Sequence, residues 1–441
     1  MKTIVAIATP PGHGGIGIVR ISGPQSLDIA KKMFNGSLEP RVATLGTIDA
    51  GIADQAIAIY FKAPHSFTGE DVVEFQLHGG YLLLEKVVDH AVKLGCSLAE
   101  NGEFTKRAFL NGKLSLDQAE GIIDTIMATS PAALQNATTI YAGTLKDKLK
   151  AMETVLVECV AKITVTLDYP EHDEEVTTKE QIKIEIEAIL KQLDELISSS
   201  IAGRFIANGI QIAMVGKPNV GKSSLFNALL SKNRSIVTDI QGTTRDMVTE
   251  TIHYKGLSMV FHDTAGLRDS SDKVEKLGIH RTREAIQIAD IVVCIFDVSA
   301  PPQKEDLELI NLSKDKNAIF ILNKSDKPEH TQWKELLIGK QIIRTSALKN
   351  RNLDTIKETI YKQTYMQAPQ INTLAITNAR HLAQLQHAHA TLSSSLANID
   401  SPLDCISIDI NTALSHIGNI SGTSTSDKVL DEIFSRFCIG K

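Results

Sequence analysis

The sequence predicts a multidomain α/β protein. An α+β N-terminal domain spans residues 1–115, a discontinuous all-α domain covers 116–208 and 367–441, and a doubly wound α/β domain is inserted between its halves at 209–366. Three features predict it. The first 115 residues mix short β-rich runs with glycine turns, whereas from Ser115 the pattern turns to long amphipathic helices with explicit capping signals. From Ile210 strand-like and helical segments alternate, and after about Tyr365 the pattern is helical again. A chain of 441 residues has room for about three domains of the usual ~100–200 residues, each able to bury its own core.

In chain order, Met1-Lys2 followed by TIVAIA imitates a secretory leader, but the apolar stretch is short and carries one basic residue, so it reads as a buried strand. GIGIVRISG and QAIAIYF are further strands, and LLLEKVVDHAVKLG is a helix. Ser115 with Gln118 forms a capping box, Ser130-Pro131 puts proline at a first helical position, and Thr178 with Gln181 is a second box. Leu145, Leu149, Met152, Leu156, Cys159 or Val160, Ile163 and Leu167 recur at helical spacing, so this helix needs a partner surface. IQIAMVG, LSMVFHD, IVVCIFD, AIFIL and QIIRT are the strands of the inserted domain. Beyond it, Leu382, Leu385, Leu392 and Leu396 share one helical face and Ser401-Pro402 opens another helix. These last ~75 residues would bury little core alone and are expected to pack on the earlier helices.

Bulk composition excludes some classes. With 43% hydrophobic and 22% charged residues and a net charge of -6, the chain has no overall basic bias towards nucleic acid, so an RNA contact needs a local patch or a partner. The five cysteines (Cys96, Cys159, Cys294, Cys405, Cys438) are scattered and outside metal-ligand spacing, which fits a reducing compartment without disulfides. No apolar run approaches the roughly 18 residues of a membrane span, and the expected location is cytoplasmic.

The chemistry is concentrated in the inserted domain. Gly216-Lys217-Pro218-Asn219-Val220-Gly221-Lys222-Ser223, followed by Ser224, is a G-x-x-x-x-G-K-S phosphate loop between a strand and a helix. Backbone N–H groups close around phosphates at a helix N-terminus, Lys222 reaches the outer phosphates and the Ser223 hydroxyl suits Mg²⁺. Asp263-Thr264-Ala265-Gly266 ends a strand, where the carboxylate can hold the Mg²⁺ shell and the glycine N–H can sense the terminal phosphate. Asn323-Lys324-Ser325-Asp326 ends another. Asp326 can accept both guanine N–H groups, which adenine would leave partly unpaired in a buried site, so GTP is the expected nucleotide. Ser346-Ala347-Leu348 is read as supporting the base. The polar loop Asp239-Ile240-Gln241-Gly242-Thr243-Thr244-Arg245-Asp246 is of the kind that orders around a terminal phosphate, with Thr244 as second Mg²⁺ hydroxyl. Leu267 stands where many GTPases carry a water-orienting glutamine. Glu275 is the nearest acidic candidate for that task, set against a solvated carboxylate beside Lys273 and Lys276.

Three signals are discounted. Gly12-His13-Gly14-Gly15-Ile16-Gly17 matches a dinucleotide fingerprint but runs on into a strand. His387 and His389 point apart on a helix, and Glu171-His172-Asp173-Glu174-Glu175 reads as a solvated linker.

With these residues in view, the chain resembles the tRNA-modification GTPase family called MnmE or TrmE over essentially its whole length. The markers are TPPGHGGIGIVRISG, SFTGEDVVE, GEFTKRAFLNGK, TDIQGTTRD, DTAGLRD and FCIGK. The resemblance implies a homodimer through a folate-binding-like N-terminal domain that takes a 5-formyl-tetrahydrofolate, with Arg20, Glu74, Lys113 and Lys441 as contacts. It further implies a P-loop GTPase domain, Ras-like in fold, that pairs across K⁺ held by Asn219, Thr238, Ile240 and Thr243. Glu275 would orient the attacking water, and Cys438 of Cys438-Ile439-Gly440-Lys441 would be required for modification. With the flavoprotein partner MnmG, the family adds an aminomethyl or carboxymethylaminomethyl group to the wobble uridine of tRNA. His13 stands where many relatives carry arginine, and Ser346-Ala347-Leu348 differs slightly from the commoner form. Two rivals share parts of this pattern. A ribosome-assembly or regulatory GTPase would need a basic, aromatic-interleaved RNA module, which the sequence lacks; a folate-dependent methyltransferase would transfer methyl groups with its N-terminal part alone.

Overall fold

The computed structural model describes residues 2–168, 175–231, 249–263, 284–368 and 374–441. Contacts divide the chain into two units, one of 1–126, 138–189 and 387–441, the other of 127–137 and 190–386.

In the first unit, β1 (Ile4–Ile7), β2 (Gly14–Ser22), β3 (Phe34–Asn35), β4 (Ala43–Asp49), β5 (Ala53–Phe61), β6 (Val72–Gly79) and β7 (Ser97–Leu98) form one sheet. Its order is β3-β4-β5-β6-β2-β1-β7, antiparallel except for the β1–β7 pair. The leader-like TIVAIA is thus a strand, with Ile4 and Val5 buried. Alternation with period two decides which face is covered. Ala56, Ala58 and Tyr60 of β5 join Val19, Ile21, Val73 and Phe75 in a core closed by Ile29 and Met33 of the helix Ser26–Met33 and Leu84, Val87 and Ala91 of the helix Tyr81–Lys93. On the opposite face Leu45 and its cross-strand partner Ile57 remain exposed.

The helical part of this unit follows the spacing read from sequence. Leu145, Leu149, Met152, Leu156, Cys159 and Ile163 are buried along the helix Thr144–Asp168, each such side chain contributing roughly 1.5–3 kcal/mol. The helix Leu403–Ser421 packs on it, so the C-terminal helices do join the earlier ones. Leu167 departs from the expected stripe and is exposed in the last turn. The Thr178 box does not start a helix. The helix runs Glu175–Asn208, so Thr178 lies inside it and its hydroxyl pairs with that of Thr166 at 3.1 Å. Ser115 keeps half of its box, its N–H donating to Gln118 Oε1 at 3.1 Å.

In the second unit, β8 (Ile210–Val215), β9 (Thr249–Tyr254), β10 (Leu257–Asp263), β11 (Ile291–Asp297), β12 (Ala318–Asn323) and β13 (Ile342–Arg344) form a sheet of order β13-β12-β11-β8-β10-β9. All neighbours are parallel except β9, which pairs antiparallel with β10. The sequence reading missed β9. Its hairpin turns on Lys255 and Gly256, both at positive φ (48° and 83°), the geometry a two-residue primed turn demands. Ser130 caps the helix Pro131–Tyr141 as expected, accepting the Ala133 N–H at 3.1 Å.

Candidate nucleotide site and thiol segment

β8 lies between β10, which the chain visits first, and β11, which it visits later. The strand order therefore reverses at the C-terminal end of β8, where open parallel sheets place their ligand crevice. The phosphate loop leaves β8 at that point and enters the helix Lys222–Ser231 at once. Two glycines are dictated by close approach. A Cβ on Gly216 would lie 2.5 Å from the Ile295 carbonyl, and one on Gly221, whose φ is +94°, would lie 2.4 Å from Asn323 Nδ2. Asn219 is left-handed too, at φ 63°, with an exposed side chain. Lys222 folds over the loop, its ammonium donating to the carbonyls of Gly216 (2.7 Å) and Lys217 (2.8 Å). Ser223 and Ser224 are exposed in the first turn of the helix, Val220 is buried beneath it, and Ser223 presents a hydroxyl of the chemistry Mg²⁺ takes.

The loop after β12 is stapled to its neighbours. Asn323, 1% exposed, donates to the Val220 carbonyl (2.9 Å) and accepts from the Ala347 N–H (3.2 Å), tying three loops together. Lys324 donates to the Asn219 carbonyl (2.8 Å) and to Asp297 Oδ2 (2.6 Å). Burial pushes the Asp297 carboxyl up, but hydrogen bonds from Lys324 and Ser299 outweigh it and hold the group below the usual carboxylate range. Ser346 is fully buried and its hydroxyl donates to Asp326 Oδ1, a bond that holds the Asp326 carboxyl below the usual carboxylate range. Ser346 and Ala347 thus brace the loop from Asn323 to Asp326. Asp326 itself is exposed at the mouth of the loop, its carboxylate positioned by Ser346.

Two partners escaped the sequence reading. Asp297 holds Lys324, and Lys217 of the phosphate loop pairs at 2.6 Å with Asp306, 1% exposed at the start of the helix Lys304–Leu312. A carboxylate ending the strand IVVCIFD was the only available signal for the first, and nothing local marked the second.

Asp263 is the last residue of β10, its backbone beside Met214 of β8, which places it at the same edge of the sheet as the phosphate loop. Thr238, Asp239, Ile240, Gln241, Gly242, Thr243, Thr244, Thr264, Ala265, Gly266 and Glu275 lie outside the described residues.

In the first unit, two of the four residues expected to contact folate meet. Arg20 Nε donates to Glu74 Oε1 at 2.7 Å across the β2–β6 pair, and Arg20 Nη1 donates to the Gly440 carbonyl at 3.3 Å. Lys441, next to Gly440, accepts the Phe104 N–H at its carbonyl. Lys113 instead donates to the Pro64 carbonyl at 2.9 Å. A buried arginine the sequence reading did not single out, Arg107, pairs with Glu70 and Glu103 and donates to the Lys2 carbonyl, joining SFTGEDVVE to GEFTKRAFLNGK. All five cysteines are free, and only Cys405 and Cys438 are exposed. Burial pushes the other thiols up, Cys96 and Cys159 to about 11 and Cys294 to about 12.

A phosphate loop at the switch point of a parallel sheet, with an Asn-Lys-x-Asp loop stapled to it, defines the inserted domain as a GTPase domain of the P-loop class. Comparison with known proteins extends this to the whole chain. Residues 3–113 match the family described as GTP-binding protein TrmE N-terminus and residues 116–438 match the MnmE helical domain. Proteins named tRNA modification GTPase MnmE from Clostridioides difficile and Acetivibrio thermocellus are 38% and 39% identical over 100% of this chain and 99% of theirs. The protein of that name from Thermotoga petrophila is 40% identical over 100% of both. The chain belongs to the MnmE family of tRNA modification GTPases.

Proposed function

We infer that this chain, a GTP hydrolase acting in tRNA modification, works on the wobble uridine, adding an aminomethyl or carboxymethylaminomethyl group together with the flavoprotein MnmG. The observation that carries the GTPase half is the Asn323 staple, which fixes the guanine-reading loop against the phosphate loop. GTP would be held by 219–224, 238–244, 263–266, Asn323, Lys324, Asp326, Ser346 and Ala347. Mg²⁺ would sit on Ser223 and Thr244, and K⁺ on Asn219, Thr238, Ile240 and Thr243. Bound there, these ions would supply positive charge to the terminal phosphate, and Glu275 would orient the attacking water.

The N-terminal domain, 1–115, would supply the one-carbon unit from 5-formyl-tetrahydrofolate, held by Arg20, Glu74, Lys113 and Lys441. The Arg20–Glu74 pair supports this by offering a cation and a carboxylate at one place. The exposed apolar pair Leu45 and Ile57 supports a homodimer through the same domain. The helical domain, 116–208 and 367–441, would carry the G domain, 209–366, as an insertion, in the cytoplasm.

Two measurements test this reading. GTP turnover in K⁺ and in Na⁺ at equal ionic strength should differ, and equal rates would contradict the K⁺ assignment. Glu275→Ala should lower turnover by roughly 10²–10⁴ while nucleotide binding persists, and unchanged turnover would remove Glu275 from the mechanism. A regulatory GTPase would leave the tRNA nucleosides of a deletion strain unaltered.

A further inference from the structure

The segment Phe437–Lys441 is seated in the fold by contacts that select glycine at two positions. Phe437, 3% exposed, is anchored in a cluster with Leu116, Leu430 and Phe434. Beyond it the chain turns back, the Lys441 N–H donating to the Cys438 carbonyl at 3.3 Å. Two backbone donors grip this turn from outside: Gly102 N–H reaches the Cys438 carbonyl (3.4 Å) and Phe104 N–H reaches the Lys441 carbonyl (3.2 Å). Arg20, itself fixed by Glu74 and lying 5.7 and 5.6 Å from the ring centres of Phe67 and Phe104, adds its bond to the Gly440 carbonyl.

Close approach seals the seat. Gly440, buried at φ +88°, would carry a Cβ 2.2 Å from the Ile7 carbonyl, and Gly102, at φ +67°, one 2.5 Å from the Phe434 carbonyl. Both atoms met are backbone, which cannot rotate away as a side chain could. The consequence is a division of the turn. Its inner residues, Phe437 and Gly440, are buried, while Cys438 and Ile439 stand exposed at the tip. Cys405, the other exposed thiol, lies in the first turn of the helix Leu403–Ser421 and has no such seat.

We propose that this seat positions Cys438 for the modification reaction, with Gly102 and Gly440 as its positioning residues. The inference rests on the reading that Cys438 takes part in that reaction. The seat is built from residues of the first unit and the nucleotide site from residues of the second, and they share no residue, so loss of the seat should uncouple modification from GTP hydrolysis.

The test uses the full chain carrying Gly440→Ala or Gly102→Ala, with three readouts: hydrogen exchange at the Gly102 and Phe104 amides, GTP turnover, and wobble-uridine modification in complemented deletion cells. In Gly440→Ala the two amides should exchange at least about tenfold faster, because their acceptors have left, and modification should fall at least about tenfold. GTP turnover should stay within about twofold. Gly102→Ala should behave alike; if it fails to fold, Gly440→Ala decides alone. Unchanged exchange in Gly440→Ala overturns the seat. Faster exchange with full modification, in cells where Cys438→Ser abolishes modification, overturns the positioning role. Full modification by Cys438→Ser removes the reading beneath the proposal, a different result from either.

Discussion

The nucleotide site and the thiol seat are both built from backbone-dictated glycines, yet they were unequally visible. Gly216 to Ser223 is one stretch of eight residues, and its companions at 263, 323 and 346 all stand at or just beyond the ends of parallel strands of one sheet. Local sequence sets that geometry, so a motif suffices to find it. The seat joins Ile7, Arg20, Glu74, Gly102 and Phe104 to Gly440, some across more than 400 residues, and only the folded chain brings them together. Contiguity, and not importance, decides what a sequence displays.

If the nucleotide site is as local as this comparison holds, substitutions there should leave the seat untouched. The largest effect is expected at Asp326. Asp326→Asn replaces an acceptor by a donor facing the guanine N–H groups, so GTP affinity should fall by about 10⁴, while xanthosine triphosphate, with an acceptor in place of the amino group, should bind better than GTP. Competition binding measures this, and undiminished GTP affinity would remove Asp326 from base reading. Exchange at Gly102 and Phe104 should match wild type in that variant.

Gly221→Ala comes next. The added Cβ would strike Asn323 Nδ2 and force a left-handed alanine, strain of about 1–3 kcal/mol that should weaken GTP binding by up to about 10². Titration calorimetry should find the loss, and affinity within twofold of wild type would contradict the packing argument.

The smallest effect concerns the β9–β10 hairpin. Hydrogen bonds from Lys255 and Tyr254 hold the Glu358 carboxyl at about 2, well below its ordinary 4.5. A depressed folded-state value means that its stabilisation is complete above about 4.5 and lost as pH falls towards 2. The gap in thermal midpoint between wild type and Glu358→Gln should therefore be narrower at pH 3 than at pH 7. A gap that widens at pH 3 would refute the assignment.

Much of the fold was legible because periodicity records burial. The stripe from Leu145 to Ile163 lies where its spacing put it, as do the strands read from TIVAIA, GIGIVRISG, QAIAIYF, IQIAMVG, LSMVFHD, IVVCIFD, AIFIL and QIIRT. What was missed has physical causes. β9 reads TETIHY, with too few apolar residues to announce a strand, because it is an edge strand. Thr178 carries the residues of a cap but lies inside the helix Glu175–Asn208. Asp297 was passed over because its partner, Lys324, is set by the pairing of β11 with β12, a tertiary fact.

The central claim is that the two sites serve one reaction. It is tested most directly by mass spectrometry of tRNA nucleosides from a deletion strain complemented with wild type, Lys222→Ala or Cys438→Ser, with GTP turnover measured on each purified protein. The account predicts that only wild type restores the modified wobble uridine, and that Cys438→Ser keeps its GTP turnover while Lys222→Ala loses it. Full modification with either variant would contradict it.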